Sequence, residues 1–131
     1  MTPPLLFITP IYAVTLTFML FALTVRVIKT RRTHKVSLMD GGVDDLKRII
    51  RAHGNFTEYV PLVLILMAVA EINGAPEYAL YGLGSILLGS RLIHAAGLIK
   101  SVIKWRIYGM YGTFTALSMG AILVLSTLFQ F

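Results

Sequence analysis

The sequence predicts an all-α integral membrane protein, an antiparallel four-helix transmembrane bundle in a single domain spanning residues 1–131. Three observations predict it. Hydrophobic residues make up 56% of the 131 and charged residues only 14%, against roughly a quarter charged in soluble domains, and the mean hydropathy is +0.78. The apolar residues fall into four stretches, each near the ~20 residues a helix needs to cross a hydrocarbon core. The cations are confined: eight of twelve Lys and Arg lie between Arg26 and Arg51, and three more between Lys100 and Arg106.

The first span is expected at about 5–28, with Pro10 in its opening turns, where proline is best tolerated. A secretory signal would carry its basic residues before the apolar run; here they follow it, which favours a span. A polar stretch, 29–45, comes next, and Asp40-Gly41-Gly42 within it reads as a turn. Asp44 and Asp45 then fall in a helix's first turn, where the macrodipole favours them. The second span is expected at 43–72. Asn73-Gly74-Ala75-Pro76 is too short a link for anything but an antiparallel hairpin. The third span is expected at 77–99, and a basic loop, 100–106, leads to the fourth at 107–129.

Loop charge sets the expected orientation. Both basic loops, 29–45 and 100–106, should be cytoplasmic and touch lipid headgroups, with both termini on the opposite side. The net charge of +6 is thus read as a membrane signal; there is no nucleic-acid-reading motif. The absence of cysteine excludes a thiol nucleophile, disulfides and thiolate metal sites. No metal-ligand spacing, glycine-rich phosphate loop or serine-histidine-acid set is present, so no metal is expected. Gly112, Ala116 and Gly120, and Ser85 with Gly89, form small-residue ladders suited either to packing within the chain or to an oligomer interface.

Polar residues inside the spans carry the functional argument. At 100° per residue, Asp44, Lys47, Arg51, Asn55 and Glu58 share one stripe of the second helix, with Tyr59 on its flank. A carboxylate in a span is expensive and normally faces the bundle interior, where it is paired or functional. The bland alternative is a structural ion pair between Arg51 and Glu58. Arg91 and His94 share a face of the third helix at similar depth; Arg26 ends the first span, and Arg106, Tyr108 and Tyr111 open the fourth. His53 points away from the stripe, and His34 is expected in the basic loop. Pro61 should kink the second helix just beyond Glu58. Arginine outnumbers carboxylate at this level, which implies an anionic ligand.

The stretch Arg51-Ala-His-Gly-Asn55-Phe-Thr-Glu58-Tyr59-Val-Pro61 resembles the signature of the MAPEG family, the membrane-associated proteins in eicosanoid and glutathione metabolism. The Arg-Val-Ile from Arg26, the Asp-Gly-Gly turn, Ala-Glu71-Ile-Asn-Gly-Ala and Ser-Arg91-Leu-Ile-His94 extend the resemblance over nearly the whole chain, closest to the small bacterial members. It implies a homotrimer of the bacterial inner (plasma) membrane that binds glutathione between subunits. It also implies transferase or peroxidase chemistry on a lipophilic small-molecule substrate, such as an electrophile or a lipid hydroperoxide. Arg51, Asn55, Glu58, Tyr59, Arg91 and His94 match glutathione-contacting or polar site positions, and Arg31 or Arg32 resembles an arginine pair closing the first helix in one branch. Tyr108 and Tyr111 join the expected site. Arg106, then Arg26, is the expected thiolate-stabilising arginine. Where family members often place a tyrosine after the histidine, this chain reads Ala95-Ala96-Gly97-Leu98. A non-catalytic protein of the same fold is therefore the alternative, and a small four-helix exporter a further one, although its key carboxylate would be expected in the first span.

Overall fold

The structure, a computed structural model, describes residues 4–129. It comprises α1 (Ile8–His34), α2 (Asp44–Ile72), α3 (Glu77–Ile99) and α4 (Ile103–Leu128). All four are long and apolar enough to cross a membrane, and no strand occurs among the described residues. Successive short connections make the bundle antiparallel, so the ends of α1 and α3 meet the starts of α2 and α4. We call this the basic end.

Two helices run further at the basic end than hydropathy suggests. α1 continues six residues past 28, so Lys29 to His34 are helical rather than loop, and His34 sits in the last turn. Polarity ends the apolar span, but it does not end a helix. Thr30 and Thr33 donate their hydroxyls to the carbonyls of Arg26 and Lys29, and Arg31, Arg32 and His34 suit the negative end of the dipole. The stop comes at Lys35, whose left-handed backbone (φ 55°) turns its N–H back onto the Arg31 and Arg32 carbonyls. α4 likewise begins at Ile103, four residues before 107, which shortens the second basic loop to residues 100–102.

The Asp40-Gly41-Gly42 turn forms as its residues dictate. Asp40 accepts from Gly42 N–H through its side chain (2.8 Å) and from Val43 N–H through its carbonyl (2.9 Å), and both glycines take positive φ. α2 opens with Asp44–Lys47 (3.3 Å) and Asp45–Arg48 ion pairs, and it remains one helix through Pro61.

α3 and α4 share the most extensive interface, α2 packs on all three other helices, and α1 rests on α2 and α3. Leu16, Val63, Met67, Leu83, Leu87 and Ala116 are the fully enclosed centre. Gly109, Thr113, Ala116 and Gly120 form the buried face of α4; a Cβ on Gly112 would lie 2.7 Å from that of Ser90. That ladder packs within the chain. On α3, Ser85 bonds the Tyr12 hydroxyl of α1 at 2.9 Å, while Gly89 meets nothing within 4 Å.

Opposite the basic end, Glu71 closes the start of α1. Its Oε1 accepts from the backbone N–H of Phe7 (2.7 Å) and Ile8 (2.6 Å), and Oε2 from that of Thr9 (2.7 Å). These are the orphan donors of a helix start, satisfied here by a carboxylate more than sixty residues away in sequence. No cap residue before α1 supplies them.

Candidate functional site

The polar stripe of α2 divides into a buried and an exposed part. Asn55 is 5% exposed and turns inward, because its neighbours Ala52 and Phe56 lie on the core face. Arg51 and Glu58 flank it on the outside, about half exposed. Seven residues apart, they stand two turns along one helix face, and the guanidinium spans the gap: Nη1 to Oε1 at 3.0 Å and Nη2 to Oε2 at 3.1 Å. The result is a two-bonded arginine–carboxylate fork. The structure thus forms the ion pair that was the bland alternative, and it forms it on an uncovered flank.

The buried part centres on Arg91, only 1% exposed. Its Nη1 donates to Asn55 Oδ1 at 2.5 Å and its Nη2 to Met110 Sδ at 3.9 Å. Its Nε has no acceptor. No carboxylate pairs with it among the described residues, so the interior of the bundle carries an unneutralised cation. His94 lies one turn on, also buried, within coulombic range of Arg91, Arg51 and Arg106.

Close helix approach holds this arrangement. A Cβ on Gly109 would stand 2.5 Å from His94 Cβ and 2.6 Å from His94 Cα, and a Cβ on Gly97 would stand 2.5 Å from the backbone nitrogen of Arg106. Only glycine permits these crossings, which bring the start of α4 onto His94 and the Arg106 backbone against α3. Below them Ser90 and Thr113 share a buried hydrogen bond at 3.2 Å. Tyr59 packs edge-on against Phe114 (centroids 5.8 Å apart), joining α2 to α4.

The remaining expected residues lie elsewhere. Tyr108 and Tyr111 are 63% and 66% exposed and point outward; Tyr108 joins Leu92, Ile93, Ala96 and Trp105 around an apolar pocket of about 600 Å³. Arg31 donates to the Met39 carbonyl (2.5 Å) and shares a groove with Arg51 and Gly54. Arg32 faces a different hollow with Ile28 and Lys35. Arg26 is not brought to Arg91 either; it lines a recess with Arg48 and His34. His53 bonds Thr24 of α1 at 3.1 Å, a helix-to-helix contact.

Glu71 and Trp105 were missed as single residues. The signal for Glu71 was available: a carboxylate at the apolar end of α2, opposite a helix start with no acidic residue in its first turn. Trp105 was passed over as part of a loop that proves helical.

The chain is 36% identical to inner membrane protein YecN of Escherichia coli strain K12 over 110 residues, 84% of each chain. It matches the protein of that name from E. coli O6:H1 strain CFT073 equally, 36% over 84% of each chain. Residues 9–126 match the MAPEG family. With that match covering most of its length and all four helices, the chain belongs to the MAPEG family.

Proposed function

We propose that the protein binds glutathione at the basic end and uses it as cosubstrate in transferase or peroxidase chemistry on lipophilic electrophiles or lipid hydroperoxides. The observation that carries the reading is the uncovered Arg51–Glu58 fork. A matched cation and anion on one helix flank is complementary to the zwitterionic end of glutathione, whose ammonium pairs with Glu58 and whose carboxylate pairs with Arg51. Ligand binding exchanges one ion pair for two. Arg91, held by Asn55, adds an unneutralised positive charge behind them, and Arg106, whose charge is felt at His94, supplies the guanidinium for the thiolate. A free thiol titrates near 8.5 and a neighbouring guanidinium lowers it.

A charged pair on the outside of a membrane helix is costly against lipid. Covering by a second copy of the chain removes that cost, which supports the homotrimer with glutathione between subunits. The apolar pocket beside Tyr108 and Trp105 suits the lipophilic substrate. The E. coli relative is named an inner membrane protein, and with the basic loops cytoplasmic the same membrane is the proposed location.

Titration of the purified protein with glutathione, followed by calorimetry and by thiolate ultraviolet absorbance, tests this. We expect saturable binding with a thiolate signal; no binding overturns the reading. Arg51→Glu combined with Glu58→Arg separates ligand binding from structure. The swapped pair retains an ion pair, so melting is preserved while glutathione binding is lost; retained binding refutes the assignment.

A second reading has its own observation. Ala95 and Ala96 offer no hydroxyl beside His94, and both nearby tyrosines of α4 point outward. Binding without a thiolate signal identifies a non-catalytic member of the family.

A further inference from the structure

The last two turns of α1, absent from the hydropathy picture, build a second polar feature. Arg26, Lys29, Thr30, Thr33 and His34 recur at i, i+3, i+4, i+7 and i+8 and so share one helix face. That face fronts a recess of about 320 Å³, closed on the far side by Asp45 and Arg48 of α2 and floored by Ile49 and Ile99. None of Arg51, Asn55, Glu58, Arg91 or His94 contributes to it.

Its charge is unbalanced. Asp45, the one carboxylate in the lining, is bonded to Arg48. Arg26 and Lys29 have no ion-pair partner among the described residues. The hydroxyl protons of Thr30 and Thr33 go to helix carbonyls, so the groups free to donate into the space are the guanidinium, the ammonium and the imidazole. Three free donors of α1 face one small volume, with the Asp45-bonded Arg48 guanidinium of α2 across from them, which suits a compact anion with several acceptor oxygens.

The position narrows the chemistry further. α1 is 27 residues long, ~40 Å at 1.5 Å per residue, against a hydrocarbon core of ~30 Å. Its last turns therefore stand at headgroup depth, where phosphate is the abundant anion, and the isoleucine floor suits the glycerol beneath it. We propose that this recess binds a negatively charged phosphate group, carried by an anionic phospholipid headgroup or by a free phosphate ester, through Arg26, Lys29, His34 and Arg48.

The test uses the full chain in maltoside micelles near physiological salt, where diffuse surface attraction is screened beyond ~8 Å. Melting is followed against added short-chain phosphatidylglycerol, phosphatidylcholine and inorganic phosphate, since a ligand of the folded state raises the midpoint with its concentration. We expect phosphatidylglycerol to raise it saturably and phosphatidylcholine not to. A rise with inorganic phosphate as well assigns the site to phosphate groups from either source; a rise with the lipid alone assigns it to the headgroup. Arg26→Gln with Lys29→Gln should weaken the apparent affinity about tenfold or more, the effect of removing charged donors. Should that pair fold poorly, His34→Gln, on an exposed side chain, should weaken it severalfold. Lys100→Gln with Lys104→Gln removes the same charge from the other basic segment and should leave the affinity unchanged. No response to either phosphate source, or an equal loss in both double variants, overturns the proposal.

Discussion

The two ends of the bundle handle polar groups in opposite ways. Away from the basic end, Glu71 and Asn73 are completed: both oxygens of Glu71 accept three N–H groups of α1, and the Asn73 amide meets the Thr127 hydroxyl at 3.2 Å, which leaves the Thr9 hydroxyl as the one buried side-chain atom there without a partner among the described residues. At the basic end the accounts do not close. Arg91 has one acceptor oxygen and an orphaned Nε, the Arg51–Glu58 fork stands uncovered, and Arg26 and Lys29 face a recess without an anion of their own. Completed polar groups hold a fold together, whereas uncompleted ones leave room for something else. The contrast divides one small chain into an end that fastens helices together and an end with charged groups to spare.

The largest effect should come from breaking the buried bond at the basic end. Asn55→Ala leaves the Arg91 guanidinium without its oxygen and should cost about 3 kcal/mol, the scale of stranding a buried charged donor. Adding Arg91→Met should recover part of that loss, since the stranded charge is gone; a double variant no more stable than Asn55→Ala in denaturant unfolding would show that the bond is not the cause. Gly109→Ala comes next. Its new methyl meets the His94 backbone, and overpacking of this kind costs about 2 kcal/mol; melting at wild-type temperature would show that the crossing can relax.

Glu71→Gln tests the other end. It keeps an acceptor but loses the charge and the second carboxylate oxygen, so about 1 kcal/mol should be lost, the range of a helix cap. Glutathione affinity should not change, and a parallel fall in affinity would erase the distinction between the ends. Arg51→Ala should do the reverse, weakening glutathione binding about tenfold, or ~1.4 kcal/mol, with little change in melting. The smallest effect is Thr24→Val, which removes a neutral bond to His53 and should cost about 0.5–1 kcal/mol in the same unfolding assay.

The architecture was legible because lipid imposes it. Four apolar stretches, a four-residue turn at Asn73-Gly74-Ala75-Pro76 and two basic segments leave little freedom. The helix ends at the basic side were not legible, since hydropathy reports where the bilayer stops and says nothing about backbone continuing into water, as it does from Lys29 to His34. For the candidate site, the 100° arithmetic placed Arg51, Asn55 and Glu58 on one stripe, but a stripe spanning some 60° can straddle a burial boundary. Asn55 fell on one side and its two charged neighbours on the other. The reach of Arg91 to Asn55 depends on how closely α2, α3 and α4 pack, which the glycines at 97 and 109 govern. The four-residue ladder takes in the glycines at 112 and 120, whereas those at 97 and 109 fall outside it.

The carboxylate clasp at the start of α1 has a mechanical consequence. α1 buries few residues, with Ile8, Thr9, Leu16 and Leu23 its only fully enclosed ones, and by packing alone it would be the helix freest to slide or roll. Yet it is fastened at both extremities, by the chain connection to α2 at one and by Glu71 of α2 at the other. A rod pinned at two points cannot swivel about either. α1 therefore behaves as a strut, and it presents Arg26 and Lys29 in a fixed register to α2 although little hydrophobic contact holds it there.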